Sequence, residues 1–393
     1  MKLRNIFLLI SCCFAAFSCS MEDDTIMNDV ENNMDSMKEA TTEAYTSINL
    51  NFSSEEMETK SKSTITVGGE EAPNGGDPNS TYNEKYIHSF DVFVVDEAGK
   101  IIHIISEGGQ VSGENTDDIT LKDIRFITKY KNGRKLTAYA VINARKSSDD
   151  ETNFFSNVKI GGTVNDFLSK EISEHLVANA LVKVGSKEIV MDETFYHQVS
   201  PKDFPLEKDF LLNIPVHHIA ARLDFSKFSC TLKDFSVGAT VKLVSAEFRN
   251  MQTKGYINGE EYSTFSPAEA VALKIGNGIT VPKIDSEQRI YSYDPKLRAY
   301  SYRSQSLTKD GHEQHVELFV KFEVNDNGVT KTFEKTYTIN RPVSGKNVDH
   351  NYVKGGYLYN IEVNWTITPT WADSSIEFYT RDWEHESLED VVL

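Results

Sequence analysis

Cysteine is scarce in this chain of 393 residues: four are present, and Cys12 and Cys13 lie in an apolar segment near the N-terminus. If export removes that segment, Cys19 and Cys230 alone remain. An acylated Cys19 would leave no second thiol for an intramolecular disulfide. We therefore expect stability to come from a large apolar core and not from cross-links.

Positive charge is also scarce, and long apolar runs are missing after the N-terminal segment. The chain carries 41 Lys and Arg against 59 Asp and Glu, a formal net charge of −18. This balance argues against nucleic acids and anionic membrane surfaces as partners, because no basic patch could supply the phosphate contacts. No later segment approaches the roughly 18 consecutive apolar residues of a membrane helix, so a lipid would be the only anchor.

The common motifs of catalysis and metal binding are missing as well. The sequence has no glycine-rich phosphate loop and no HExxH, CxxC or GxSxG motif. We therefore predict that the protein is not an enzyme and holds no cofactor or metal. His217 and His218 are neighbours, and in a strand their side chains would point to opposite faces and could not easily chelate one ion together.

The N-terminus has the layout of a signal peptide. Lys2 and Arg4 precede a mostly apolar stretch over residues 6–17, which is too short for a permanent membrane helix. Small residues come just before Cys19, an ending that resembles the lipobox of bacterial lipoproteins. We predict a signal peptide over residues 1–18 and acyl chains on Cys19. The alternative is a secretory signal cleaved elsewhere, with Cys19 an ordinary residue.

An acidic segment follows this cysteine. Residues 20–44 hold eight acidic side chains against Lys38, a balance of −7. Such a segment buries little and repels itself, so residues 19–44 are interpreted as an extended tether. An acidic run directly behind a lipidated cysteine also resembles the signal that sends some lipoproteins to the cell surface. We expect a surface-exposed protein of the outer membrane; a linker facing the periplasm is the alternative.

Strand patterns dominate the rest of the sequence. Residues 45–52 alternate in polarity, and similar segments recur at short intervals up to residue 383. A helical pattern covers residues 164–182. With a boundary near Pro215, this predicts an all-β fold with one or two short helices, arranged as two antiparallel β-sandwich domains in tandem over residues 45–215 and 216–393.

Glycine marks several predicted turns. A turn over residues 96–100 joins two apolar segments, and Asn132-Gly133, Asn258-Gly259 and Asn327-Gly328 each suit the two-residue loop of a β-hairpin. Residues 68–78 contain four glycines and two prolines and are predicted to form a loop.

Four tyrosines at alternating positions allow two interpretations: Tyr291, Tyr293, Tyr300 and Tyr302. Sugar rings stack on exposed aromatic faces, so these side chains could form a carbohydrate-binding surface. In strands, alternating tyrosines more often pack within the sheet. We prefer the second interpretation.

Four blocks of the sequence, taken in order, resemble the fimbrillins, the lipoprotein precursor subunits of type V pili in Gram-negative gut and oral anaerobes. They are the lipobox and acidic linker with SINLNFSS behind them, SFDVFVVDEAGKII with GRKLTAYAVINA, IPVHHIAARLDF with Arg222, and a C-terminal block with Asn351, Tyr357 and Trp383. Together the blocks span nearly the whole mature chain.

The resemblance implies two transthyretin-like sandwich domains and assembly by strand exchange with other fimbrial subunits, held at the outer membrane through lipid. In strand exchange a removable first strand leaves a groove, which a neighbour's strand refills with backbone hydrogen bonds and apolar side chains. The removable strand would be SINLNFSS, with Ile48, Leu50 and Phe52 on its apolar face. The donor would be the C-terminal tail, through Leu388, Val391, Val392 and Leu393.

Arginine is missing between Arg4 and Arg125, so the arginine-specific cut that the resemblance implies behind the first strand has no site. Lys60 and Lys62 are the basic residues directly behind that strand. Either another protease cuts there, or strand and lipid stay and the subunit anchors a pilus to the outer membrane. The alternative from a different class is a monomeric glycan-binding surface lipoprotein. Any host or bacterial surface ligand is left open.

Overall fold

The structure, a computed structural model, describes residues 43–53, 87–107, 118–129, 133–144, 154–173, 181–190, 211–260, 262, 264, 266–273, 275–303, 307–309, 312–339, 352–382 and 388–392. Within these ranges the chain is nearly all β, which confirms the predicted fold class. No helix in the described part of the chain is long and apolar enough to cross a membrane.

The first half of the described chain is built mainly on one sheet. Its elements are β1 (Glu43–Ser53), β2 (Phe90–Val95), β3 (Ile101–Glu107), β4 (Asp118–Lys129), β5 (Lys135–Ile142), α1 (Asn165–Leu168), β6 (Glu171–Ser173), β7 (Lys183–Val190) and β8 (Leu211–His218). Seven strands follow one another in the order β3-β2-β5-β7-β8-β1-β4. Neighbours are antiparallel except β1 and β8, which are parallel.

Strand β2 is buried on both of its faces. Phe90, Val92 and Val94 belong to one apolar cluster, and Phe93 and Val95 to another. A strand that is apolar at consecutive positions is typical of such two-sided burial. On the second face the ring of Phe93 stacks on Phe167 of α1, with centroids 4.1 Å apart, and this contact holds the short helix against the sheet.

The second half forms a β-sandwich. Its strands are β9 (Ala221–Leu232), β10 (Thr240–Arg249), β11 (Lys254–Tyr256), β12 (Val271–Ala272), β13 (Ile279–Val281), β14 (Lys283–Asp285), β15 (Ile290–Tyr293), β16 (Leu297–Ser301), β17 (Leu307–Lys309), β18 (His312–Gln314), β19 (Glu317–Asp326), β20 (Val329–Thr338), β21 (Tyr357–Ile367), β22 (Ala372–Asp382) and β23 (Leu388–Val392). One sheet has the order β12-β10-β19-β20 with β13 beside β10; the other has the order β14-β15-β9-β21-β22-β23 with β16 beside β9.

The sandwich core lies between these two sheets. In β19 the side chains at alternate positions are buried, as expected for a strand with one face on a core. Phe322 of this strand contacts Phe228 of β9 in the opposite sheet, with ring centroids 5.1 Å apart. Most of the apolar side chains of β9, β10 and β21 join the same cluster.

Strand pairing and a shared apolar cluster join the two halves, in addition to the connecting chain. Strand β6 pairs with β11 of the second half, with Ile172 opposite Gly255. A shared apolar cluster surrounds this pair and includes Phe93 from the first half and Ile257 and Tyr302 from the second. Strand β8 belongs to the first sheet as far as His218, and β9 begins the second series at Ala221. The division into two domains at residue 215 stays a prediction.

The helix predicted over residues 164–182 is wrong beyond its first turn for residues 169–173, and residues 174–180 lie outside the described residues. The helix ends at Leu168, and residues 171–173 form β6. The backbone carbonyls of Leu168 and Lys170 accept hydrogen bonds from the N–H groups of Asn258 and Ile257, at 2.9 and 3.1 Å. A continued helix would use those carbonyls for its own bonds. Pairing with the second half has replaced the helix that the local spacing favoured.

Two of the predicted turns are confirmed. Asn327 and Gly328 both have positive φ, 54° and 85°, and join β19 to β20 as a two-residue hairpin loop. Behind β2, the Oδ1 atom of Asp96 accepts hydrogen bonds from the N–H groups of Ala98 and Lys100, which fixes the turn to β3.

Of the other two hairpin predictions, the one at Asn132-Gly133 is wrong and the two-residue loop at Asn258-Gly259 stays a prediction. Asn132-Gly133 lies between β4 and β5, but β5 pairs with β2 and β7, whereas β4 pairs with β1. Asn258-Gly259 does form a turn, closed by a 2.9 Å hydrogen bond from the Gly259 N–H to the Tyr256 carbonyl. Strand β11 before this turn pairs with β6. A distant strand has therefore taken the edge that a hairpin at Asn132-Gly133 would need. Around the Asn258-Gly259 turn the chain does return to pair with itself, because Gln252 forms an antiparallel bridge with Pro267 and the Thr253 N–H donates a 2.8 Å hydrogen bond to the Ser266 carbonyl.

Cys230 provides a direct probe of the sandwich core. Its side chain is fully buried, and burial raises the pKa of the thiol to about 12. Because the thiolate is the reactive form, we expect iodoacetamide at pH 8 to leave Cys230 unmodified in the folded protein and to alkylate it in guanidinium chloride. Mass spectrometry of the peptide that contains Cys230 measures this. Equal labelling rates in the two conditions would contradict the buried position.

Candidate assembly strands

The segment predicted to be the removable first strand is β1, and it lies inside the first sheet with a neighbour on each side. It is antiparallel to β4, from Glu43 opposite Lys129 to Ser53 opposite Asp118. It is parallel to β8 from Asn49 opposite Leu211 to Ser53 opposite Pro215. Proline has no N–H to donate, and the parallel pairing ends at Pro215.

The three predicted groove-filling residues all belong to this strand. Ile48 lies opposite Ile124, Leu50 opposite Leu121, and Phe52 opposite Ile119 on β4. The register shifts between Ile48 and Leu50, so the strand contains an irregularity of the β-bulge type at this point. On the other side, Leu50 and Phe52 lie opposite Leu212 and Ile214 of β8. In both ladders, apolar residues therefore occupy opposite register positions.

The position of β1 in the sheet order determines which backbone groups its removal would expose. Among the described strands, β4 pairs with β1 alone, and β1 links it to β8. Without β1, the backbone groups of β4 and of one side of β8 would lose their partners. Neighbouring strands lie about 4.8 Å apart, so the resulting gap has room for one strand. The position of β1 is therefore compatible with its replacement by another strand, and the replacement itself stays a prediction.

The C-terminal tail is paired within its own chain. Strand β23 is antiparallel to β22, from Leu388 opposite Arg381 to Val392 opposite Glu377. It is the last strand of its sheet. Three of the predicted donor residues, Leu388, Val391 and Val392, lie in this strand. A donor role would require these pairs to open, and the assignment stays a prediction.

Several predicted residues lie outside the described residues. They are Cys19, Lys60, Lys62, Asn132, Asn351, Trp383 and Leu393.

The tyrosines considered as a sugar-stacking surface are mostly core residues. Tyr291, Tyr300 and Tyr302 are at most 9% exposed, and Tyr293 packs against the sandwich core. The interpretation as sheet packing is confirmed. His217 is exposed and His218 buried, as expected for neighbours in a strand.

Sequence reasoning missed a buried ionic cluster where β9 meets β16. Asp224 accepts hydrogen bonds from the Nε atoms of Arg222 and Arg298, each at 2.8 Å, and Arg222 is 1% exposed. Burial alone would raise the pKa of Asp224, but the two guanidiniums outweigh burial and hold that pKa below its ordinary value. The alternation in ARLDF, with Arg at one position and Asp two later, was the available signal.

No protein-family model matches the sequence, and no curated protein is similar to it. Among solved structures, a candidate cell adhesion protein from Parabacteroides distasonis is 16% identical with a TM-score of 0.52, covering 86% of this chain and 97% of its own. A fimbrial assembly protein from the same species is 14% identical with a TM-score of 0.43, covering 89% of this chain and 100% of its own.

A third structure is the C-terminally truncated tip fimbrial protein Mfa3 from Porphyromonas gingivalis, 10% identical with a TM-score of 0.38, over 87% of this chain and 100% of its own. At such identities a likeness concerns the fold alone. The first structure has the higher TM-score and matches 86% of this chain. At the level of the fold, the resemblance to fimbrillin-type proteins is confirmed.

Proposed function

We propose that this protein is a structural subunit of a type V pilus, exported as a lipoprotein precursor and assembled by strand exchange to support cell adhesion. The observation that carries the proposal is the place of β1, an N-terminal strand between β8 and β4. Residues 54–89 separate it from β2, which leaves ample chain for a protease. The fold shared with a candidate cell adhesion protein supports the same role.

In this proposal Cys19 carries the lipid and the acidic tether presents the body at the cell surface. Cleavage near Lys60 or Lys62 releases β1, and the tail of another subunit enters between β8 and β4. The affinity comes from backbone hydrogen bonds along both neighbours, and the apolar partners of Leu50 and Phe52 select the incoming strand. No step requires a cofactor or catalysis by this chain.

A second role, that of the membrane anchor, follows from the missing arginine between Arg4 and Arg125. An anchor would keep β1 and the lipid and would accept no strand at that site. It would still offer its own tail to the next subunit. A monomeric glycan-binding role through the tyrosine-rich strands is not supported, because Tyr291, Tyr300 and Tyr302 are buried.

The N-terminal residue of the protein isolated from cells tests the proposal and separates the two roles. A subunit that accepts a strand should begin directly behind Lys60 or Lys62 and run as a ladder on gels in mild detergent. An anchor should begin at an acylated Cys19. Mass spectrometry of the intact protein measures both.

A deletion of the C-terminal tail and a control substitution test whether the tail is the donor strand. Deleting residues 384–393 should abolish the ladder, whereas replacing exposed Lys331 by Gln should leave it unchanged. A protein that begins at residue 61 or 63, keeps its tail and stays monomeric at high concentration would contradict strand exchange.

A further inference from the structure

A cavity of about 320 Å³ lies where the two halves meet. One wall comes from the end of β8 and the link to β9, with His217 and His218. The opposite wall comes from the segment before β21, and Asn258 and Arg303 close the sides. This volume is at the lower end of the range for small-molecule sites.

The cavity is basic in an acidic protein. Arg303 and Lys354 line it together with two histidines, and none of the ten described lining residues is acidic. Acidic residues outnumber basic ones by 18 over the whole chain, so such a lining is unusual for this molecule. In the described part of the chain, neither Arg303 nor Lys354 has a carboxylate partner, and the buried Nε of Arg303 donates no hydrogen bond.

Aromatic rings hold these two cations in place. The Arg303 guanidinium lies 5.3 Å from the centre of the Tyr352 ring, and the Lys354 ammonium lies 4.9 Å from that of Tyr357. Cation–π contacts orient a cation without neutralising it. The charges therefore remain available to an anion. Arginine is the side chain that most often binds carboxylates, because its guanidinium can donate two parallel hydrogen bonds to the two carboxylate oxygens.

Two glycines shape the wall that carries Lys354 and Tyr357. A Cβ atom at Gly355 would lie 2.1 Å from the carbonyl oxygen of Ile219, and Gly356 has a φ of 76°. The Gly356 N–H donates a 2.9 Å hydrogen bond to the carbonyl of Ala220. The segment is thus packed directly on the β8–β9 link, and the cavity is preformed by the backbone.

We infer that this cavity binds a sugar residue that bears a carboxylate, of the uronic acid class. Arg303 and Lys354 would bind the carboxylate, the Tyr357 ring would contact the C–H face of the sugar, and Asn258 would bond hydroxyl groups. The volume suits one sugar ring better than a peptide or a nucleotide. Inorganic anions would satisfy the charge but leave the ring and the amide unused. This inference goes beyond the pilus role and does not depend on strand exchange.

Isothermal titration of the full-length chain in detergent tests the inference. We expect sodium galacturonate to bind at least about tenfold more tightly than galactose, its neutral counterpart, and than sodium sulfate, and to bind less well as salt is added. Arg303→Gln and Lys354→Gln should each weaken galacturonate binding at least about tenfold. Lys331→Gln, which removes a lysine of β20 that does not line the cavity, should change nothing.

Three results would overturn the inference. Equal affinity for galactose would show that the carboxylate is not recognised, and sulfate binding as tight as galacturonate would reveal a plain anion site. Absence of galacturonate binding would exclude the ligand class. Near-ultraviolet circular dichroism of each variant distinguishes loss of binding from loss of folding, and Lys354→Gln, at a half-buried position, serves as the test if Arg303→Gln does not fold.

Discussion

Asp224→Ala is expected to lower the free energy of unfolding by about 3–5 kcal/mol, because it leaves two guanidiniums without the carboxylate between them. Arg222 is 1% exposed and bonds Asp224 from its own strand, and Arg298 bonds it from β16, directly opposite. This cluster ties β16 to β9, the strand in the middle of the seven-stranded sheet of the sandwich. Chemical denaturation followed by tryptophan fluorescence measures the change.

The same cluster predicts how stability depends on pH. The two guanidiniums hold the pKa of Asp224 below its ordinary value in the folded protein. A group whose folded-state pKa is lowered stabilises the protein above its unfolded-state pKa, which for Asp is about 3.9. This contribution is lost as the pH falls from about 4 through the folded-state pKa. The difference in stability between wild type and Asp224→Asn should therefore shrink below about pH 4.

A surface ion pair on the same sheet supplies the control. The Nζ atom of Lys227 lies 3.2 Å from Glu362 Oε2, and the Lys227 side chain is 46% exposed. Exposed pairs contribute about 0–1 kcal/mol, so Glu362→Gln should have a small effect. Equal losses for Asp224→Ala and Glu362→Gln would show that the buried cluster contributes no more than a surface pair.

The sequence was sufficient to locate β1 and to predict a chain built mainly of strands, because side-chain alternation is a local signal that follows from strand geometry. The type of turn at Asn327-Gly328 was predictable for the same reason, since few residues tolerate two consecutive positive φ values. These features are determined by residues within a few positions of one another.

Pairing between distant segments could not be predicted in the same way. Nothing near Leu50 indicates that Leu212 will lie beside it in a parallel ladder. The predicted helix failed for this reason: the apolar spacing was genuine, but Ile172 was buried by pairing with β11. The cavity with Arg303 and Lys354 was equally hidden, because its walls come from segments about 40 to 140 residues apart.

Removing β1 from the folded protein should open the first sheet, and a matching peptide should close it again. A specific protease site placed at Gly68-Gly69, in the predicted loop, would allow the chain to be cut after folding. Loss of the released strand would remove its pairing with β4 and β8. Since each backbone hydrogen bond contributes about 1 kcal/mol net, we expect a loss of at least about 3 kcal/mol, or roughly 6–12 °C in melting temperature.

A synthetic peptide of residues 43–53 should restore the melting temperature, whereas the same peptide with Leu50→Asp and Phe52→Asp should not. These two residues lie opposite Leu212 and Ile214 of β8 and opposite Leu121 and Ile119 of β4. A charged residue at either position would stand opposite apolar residues of both neighbouring strands, which is costly wherever the carboxylate is buried without a counter-ion. A fluorescent form of the peptide measures binding directly.

If the cut protein loses β1 without any change in melting temperature and binds neither peptide, β1 is not a replaceable part of the sheet. If both peptides bind equally, backbone pairing alone governs exchange, and the apolar residues of β1 do not select the strand.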